Sequence, residues 1–360
     1  MSATPSSPAG LSRLRVDHLR RYGLWVVFAA VTLALAAASS TFRQPINLQN
    51  ILEQNSILGI VACGMAVMMI SGGFDLSVGA VGVSASVLAA VVSSRWGAGA
   101  AIVSGVLLGA AIGLVNGLLI ARVRINAFVA TFAMASIVSG LLFVATGAES
   151  KPAEVHVLAS AASDRVAGVP VVFLVFLLCL ALVWYFMTRT RYGHYVYSVG
   201  GNEEASHLSG VPVQAVRILA FSLGGLFASV AGLLLLGQTS VGQPSAASSW
   251  PLQAIAICVV GGIALTGGTG RIPDVLAATL FLGVIANGLN QLNVSPYWQP
   301  TVTGVVILVA VVLEQYNKQL RGSVRRTAAP RTASAAGAPH RSTSTPVPTT
   351  SLPTTSQELR

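Results

Sequence analysis

Few side chains in this sequence could do chemistry, and most of those that could are surrounded by apolar residues. Asp75 is the one carboxylate near the start of a long apolar run, within Gly72-Gly73-Phe74-Asp75-Leu76-Ser77. At mid-membrane an aspartate costs about 2.5–3.5 kcal/mol on insertion scales. It reads as a cap on the helix that follows, with the glycines making the turn, and Ser77 beside it is a further candidate polar residue, of the pathway or of the structure. A proton or sodium relay would place ionisable groups in several runs, and Asp75 has no such companion. Asn116, Asn287 and Asn290 also lie inside apolar runs, the last two three residues apart on one helix face. Such amides either hydrogen-bond between helices or line a path for a hydroxyl-rich solute.

No nucleophile–base set or metal-ligand cluster is apparent, and no cofactor is expected. Cys63, Cys179 and Cys258 fall inside apolar runs and read as small core residues. The glycine-rich stretch from Gly261 to Arg271 lacks the Gly-Lys-Ser/Thr ending of a phosphate loop. The only lysines are Lys151 and Lys318, neither preceded by glycine. If nucleotide drives any work here, a partner must supply the nucleotide site.

Charge gathers instead in Arg189–Pro212, which carries Arg189, Arg191, His194, Glu203, Glu204 and His207 between two long apolar runs. That density belongs in water. The segment reads as a short helix capped by Asn202, with Glu203 and Glu204 favouring the positive end of the helix dipole. Gly210 tolerates a left-handed exit and Pro212 forbids continuation. Glu204 and Leu208, four apart, share a face suited to a groove with a basic rim. The segment is either a docking piece or a helical connector.

The elements that must position these residues are membrane spans. The chain is 54% hydrophobic and 9% charged, against about 25% charged in soluble proteins. Apolar runs lie at about 24–40, 51–70, 75–93, 99–120, 126–146, 169–187, 213–237, 251–267, 273–292 and 299–315. Each is near the ~20 residues that cross a ~30 Å core. The expected fold is therefore an all-α polytopic membrane protein of about ten transmembrane helices. Residues 1–23 form a basic cytoplasmic N-terminus, 24–316 the transmembrane domain, and 317–360 a disordered cytoplasmic tail of Ala, Ser, Thr, Pro and Arg. A cleaved signal peptide ending at AAASS is the rival reading of the first run.

The net charge of +10 does not point to nucleic acid, because the basic residues sit in loops and ends without interleaved aromatics. Arg13, Arg15, Arg20, Arg21, Arg122, Arg124, Arg189, Arg191, Arg217 and Arg271 fall on one side of an alternating topology. Arg43, Arg95, Lys151 and Arg165 fall on the other. By the positive-inside rule the 189–212 segment and both termini are cytoplasmic, and the 147–168 loop is external. The basic part of the tail near Arg325 and Arg326 reads as solvated, with contact to anionic membrane lipid as the alternative. Gly105, Gly109, Gly113 and Gly117 recur every four residues and predict a face for close helix packing.

Several motifs together carry a family resemblance. GGFDLSVGA at 72–80, INAFVATFAMASIVSGL at 125–141, GGNEEASHLSGV at 200–211, GGTGR at 267–271, Asn287-Gly288-Leu289-Asn290 and VSPYWQ at 294–299 resemble ribose-type ABC sugar permeases over about 46–315. The resemblance implies the inner-membrane subunit of a bacterial importer for a monosaccharide or related polyol, with a vitamin-B12/ribose-type permease architecture. It implies a coupling helix in Gly200, Gly201, Asn202, Glu203, Glu204, Ala205, Leu208, Ser209 and Gly210 that docks on an ATPase. It further implies a second permease copy or paralogue and an extracytoplasmic sugar-binding protein. Spans two to five and seven to ten would be inverted repeats, with the glycine turns at 72 and 267 ending the first helix of each half. Three positions depart from the family pattern: Asn126 in place of a proline, Ser206 in place of an alanine, and Arg271-Ile272-Pro273-Asp274 after the second glycine turn. An ion-coupled secondary transporter would also explain inverted halves but needs an ion site that the sequence does not show. A receptor or scaffold would not require the glycine-rich turns.

Overall fold

The computed structural model describes residues 9–153 and 155–298, together with 301, 302, 304, 305, 308, 309 and 312; side chains are described from residue 23 onward. All of these belong to one compact unit, residues 1–314. The tail from 317, and most of the expected last span at 299–315, lie outside the described residues.

Eleven α-helices follow in order among the described residues: α1 Ala9–Ala38, α2 Pro45–Ile70, α3 Val78–Ala121, α4 Ala127–Thr146, α5 His156–Ser163, α6 Val171–Arg189, α7 Arg191–Gly201, α8 Glu203–Leu208, α9 Val213–Thr239, α10 Trp250–Val260 and α11 Ile272–Gln291. Six of them, α2, α3, α4, α6, α9 and α11, are long and apolar enough to cross a membrane. Two two-residue antiparallel ladders break the all-helical expectation. Lys151-Pro152 pairs with Val241-Gly242, and Arg165-Val166 with Val169-Pro170.

The structure corrects the expected runs at several places. Helix α1 begins at Ala9, well inside the segment expected to be a polar N-terminus. The runs 75–93 and 99–120 are joined in one 44-residue helix, interrupted only at Gly97, whose φ of 78° and ψ of 177° are not helical. Glycine alone takes that conformation without a Cβ penalty, so α3 folds back as two arms there. The run 251–267 is helical only to Val260. At 1.5 Å per residue its eleven residues cover about 16 Å, roughly half of the apolar layer. The glycine turn that follows ends the second helix after α8, not the first.

Helix α2 is the centre of the packing. From Gly59 to Ile70 every residue is buried, as expected of a helix apolar all round. Its neighbours are α6, α9, α10 and α11. Cys63, Cys179 and Cys258 are all buried and unpaired as disulfides. Helix α4 is the opposite case, with only Ala130, Thr131 and Thr146 buried.

Gly105, Gly109, Gly113 and Gly117 of α3 all face α9. A Cβ at Gly105 would lie 2.9 Å from Leu233 Cδ2, and one at Gly117 would lie 2.8 Å from Ile218 Cα. At Gly109 and Gly113 it would collide with Ser229 Cβ and the Phe221 carbonyl. Backbones thus approach closely where lipid removes any hydrophobic drive between helices. Gly109→Leu and Gly113→Leu should each lower folded yield and melting temperature, as overpacking typically costs about 1–3 kcal/mol and occasionally more. Wild-type yield and melting in both variants, read by size exclusion and thermal scanning, would overturn this.

Candidate functional site

Three glycine-bearing segments meet at one end of the bundle. The 189–212 stretch folds as two helices, where one was expected. Thr190 Oγ1 accepts a hydrogen bond from Gly193 N at 3.1 Å and caps α7. Gly193, Val196 and Val199 are buried at three-residue spacing, so α7 lies on the bundle with its polar face outward. A Cβ at Gly193 would collide with the Phe186 carbonyl, which explains how α7 turns so tightly after α6.

Asn202 then caps α8 through Oδ1, which accepts from Ala205 N at 2.9 Å. Ser206 is buried and donates from Oγ to the Asn202 carbonyl at 2.7 Å. The hydroxyl standing where the family pattern has alanine is thereby satisfied within the helix. Leu208 is 81% exposed, large and apolar, with the exposed Glu204 one turn before it. Glu203 does more than favour the helix start, because Arg217 on α9 donates to it at 2.7 Å. Beside α8 an open cavity of about 1330 Å³ runs back to the 71–74 turn, past Arg122, Arg124 and His207.

The end of α7 is joined to the two glycine turns through backbone. Gly268 N donates to the Ile70 carbonyl at 2.9 Å. A Cβ at Gly200 would collide with that same carbonyl and approach Gly268 N at 2.6 Å. A Cβ at Gly267 would come within 2.7 Å of Gly72 Cα. Tyr197 donates from its hydroxyl to the Gly270 carbonyl at 3.1 Å. Burial pushes the Tyr197 phenol up, with nearby Arg271 opposing, so it is a donor at neutral pH. The end of α7, the end of α2 and the turn after α10 therefore form one close-packed junction. The turns around Gly72 and Gly262 have matching geometry: Gly73 N donates to Met68 O and Ile263 N to Cys258 O, five residues back in each case. Both glycines are left-handed, at φ 92° and 76°, in a Schellman-type helix ending.

Asp75, Ser77 and Asn116 form one buried cluster. Ser77 donates to Asp75 Oδ1 from N and from Oγ, both at 2.6 Å. Asn116 Nδ2 donates to Asp75 Oδ2 at 3.1 Å and to Ser77 Oγ at 2.9 Å. The carboxylate thus serves the start of α3 through Ser77 and ties it to the far arm of the same helix through Asn116. No second ionisable group hydrogen-bonds to or pairs with Asp75 among the described residues. Asp75→Ala should destabilise the protein by about 1–3 kcal/mol, the usual cost of leaving buried donors unmet. An unchanged melting temperature would sink that reading.

Asn287 and Asn290 lie elsewhere, toward the opposite end. Asn287 and Asn47 exchange two amide hydrogen bonds, at 3.0 and 2.8 Å, and Gln291 Nε2 donates to Asn47 Oδ1 at 3.0 Å. Asn47 was not read as a site residue, because it stands just ahead of its apolar run. Asn287 and Asn290 also line a cavity of about 280 Å³ with Gln54, Asn55, Gln238, Gln253 and Trp250. Sequence reasoning missed the four glutamine and asparagine partners, Gln54 and Asn55 on α2, Gln238 on α9 and Gln253 on α10.

Residues 47–311 match the family model for the branched-chain amino acid transport system / permease component. The chain belongs to this permease family. It is 35% identical over 331 residues to the L-arabinose transport system permease protein AraH of Escherichia coli K12, covering 90% of this chain and 100% of that protein. It is 39% identical over 275 residues to the ribose import permease protein RbsC of the same organism, covering 74% of this chain and 85% of that one. With the RbsC of Bacillus subtilis 168 the identity is 34% over 302 residues, covering 82% and 93%. No solved structure matches the chain. Two of the departures expected from the resemblance stand at helix starts, and the first of them is capped. Asn126 Oδ1 accepts from Phe128 N at 2.9 Å to open α4. At α11, Pro273 lies in the first turn and Asp274 pairs with Arg271 at 3.5 Å and with the Trp25 indole at 3.3 Å.

Proposed function

We propose that this permease is the membrane subunit of an ABC importer for a monosaccharide or related polyol. A separate ATPase docks on Glu203–Leu208, an extracytoplasmic binding protein delivers the sugar, and a second permease copy or paralogue completes the pathway. The observation that carries this is the exposed Glu204–Leu208 face on a helix whose root, at Gly200, packs backbone against backbone on the end of α2 and the turn after α10. A partner pressing there acts directly on two helices of the bundle. The likeness to arabinose and ribose permeases supports a sugar over an amino acid.

The ten-span, inverted-repeat architecture fits the placement of two Asn-Gly pairs. Asn116-Gly117 on α3 lies near the α8 end, and Asn287-Gly288 on α11 toward the opposite end. Arg122, Arg124, Arg189, Arg191, Arg217 and Arg271 sit at the α8 end, while Arg43, Arg95, Lys151 and Arg165 sit at the other. That bias supports a bacterial inner-membrane protein with the α8 end and both termini in the cytoplasm. A cysteine introduced at Glu149 should react with an impermeant maleimide from outside intact cells. Labelling only after the cytoplasm is opened would overturn the orientation.

The purified chain should neither bind nor hydrolyse ATP, as it has no phosphate loop. Hydrolysis that follows the chain through purification and survives removal of any ATPase subunit would refute this. Uptake in proteoliposomes holding permease, ATPase and binding protein tests the whole proposal. D-ribose or L-arabinose should enter only with internal ATP.

A further inference from the structure

We infer that the amide-lined cavity between α2, α9, α10 and α11 is a binding station for a neutral, hydroxyl-rich solute inside a single permease chain. This rests on the sugar-importer reading and adds to it a place where the permease itself touches the sugar. The cavity measures about 280 Å³, and no ionisable side chain lines it. Its polar atoms belong to carboxamides: Gln54 and Asn55 on α2, Gln238 on α9, Gln253 on α10, and Asn287 with its neighbour on α11.

A carboxamide presents a donor and an acceptor side by side, as do two adjacent sugar hydroxyls. An array of them suits a polyol. No side chain there supplies a counter-ion for a charged or zwitterionic solute, so the lining favours a neutral one. Trp250, 8% exposed, adds a flat apolar wall of the kind that takes the C–H face of a sugar ring.

The amides are set up for a guest. The side-chain amides of Gln54, Gln238 and Gln253 make no hydrogen bond to any described residue, so their capacity is unspent by the protein. Asn287 is held in one orientation by its double bond to Asn47. Asn55 has its place because residue 283 is glycine; a Cβ there would collide with the Asn55 amide. Asn55 stands fifteen residues before Ile70 on α2, about 22 Å along the axis at 1.5 Å per residue. The cavity is thus far from the α8 end, on the side from which solute arrives in the proposed orientation.

The test uses the full transporter in proteoliposomes, with radiolabelled D-ribose and L-arabinose as probes. The variant is Gln238→Leu with Gln253→Leu, chosen because neither amide supports a neighbouring residue. Uptake of the transported sugar should fall about tenfold, the scale of one to two lost hydrogen bonds. Melting temperature and ATPase co-purification should stay at wild type. Gln238→Asn with Gln253→Asn, which keeps the carboxamides, should restore most of the uptake. Wild-type uptake in the leucine pair overturns the station, and so does failure of the asparagine pair to recover. Should the leucine pair not fold, the alanine pair carries the same readout, and its wild-type uptake would equally overturn the station. Absence of any neutral sugar uptake by the wild type overturns the importer reading itself, a separate outcome.

Discussion

Glu204→Lys combined with Leu208→Asp should abolish co-purification of the ATPase and with it sugar uptake, while the permease still inserts and folds. The two side chains lie one turn apart on α8, and Leu208 is 81% exposed. No hydrogen bond or ion pair to Glu204 exists among the described residues, so nothing inside the permease is lost. An anchor of one apolar and one acidic side chain seated in a groove is the type of contact whose removal costs at least about 2 kcal/mol, or some thirtyfold in affinity. Here both groups are replaced by repulsive ones, which adds to that loss. Glu203 is left out of the variant because its ion pair with Arg217 holds α8 to α9. Normal ATPase recovery and normal uptake together would make α8 a simple connector.

Gly200→Ala should separate docking from transport. The added methyl collides with the Ile70 carbonyl and crowds Gly268 N, so the Gly268–Ile70 hydrogen bond must lengthen or break. Overpacking of this kind costs about 1–3 kcal/mol, or roughly five- to 150-fold in any step that needs the junction closed. The Glu204–Leu208 face is untouched, so the ATPase should still co-purify and still hydrolyse ATP while uptake falls by about tenfold or more. Coupled hydrolysis and uptake at wild-type ratio would show that the junction carries no force. The two variants fail at different steps, so one set of membranes can distinguish them.

Much of this site was legible in the sequence, for physical reasons that differ from residue to residue. Asn202, Glu203, Gly210 and Pro212 announce a short capped helix because caps and breakers act locally. Helix α7 did not show itself, because Arg191, His194 and three tyrosines hide a buried stripe of only Gly193, Val196 and Val199. The α3 glycines signalled close packing at a spacing of four, but not that α9 is the partner, since that pairing spans over a hundred residues. Asp75 read as a cap on α3, whereas it bonds Ser77, the residue just ahead of the helix, and no amide within α3; its reach to Asn116 depends on the fold-back at Gly97. The amide cavity was half visible: Asn287 and Asn290 stand out against apolar neighbours, whereas Gln54, Gln238 and Gln253 look like ordinary polar ends of runs. The glycine turn after α10 resembled a phosphate loop by composition alone; its purpose, close backbone contact with Gly72, Gly200 and Gly201, is a tertiary fact.

Helix α2 runs from the amide cavity to the glycine junction without a break. A helix is stiff along its axis, and α2 is buried on every side from Gly59 to Ile70, so its geometry suits a push rod. Any displacement of Gly268 large enough to disturb its bond to Ile70 must either snap that bond or carry Asn55, some 22 Å away, by a similar distance. A shift of one or two ångströms is enough to make or unmake a hydrogen bond to a guest. The parts that would feel the nucleotide cycle and the parts that would grip the sugar are thus opposite tips of one rigid body, and release requires no relay of side chains between them.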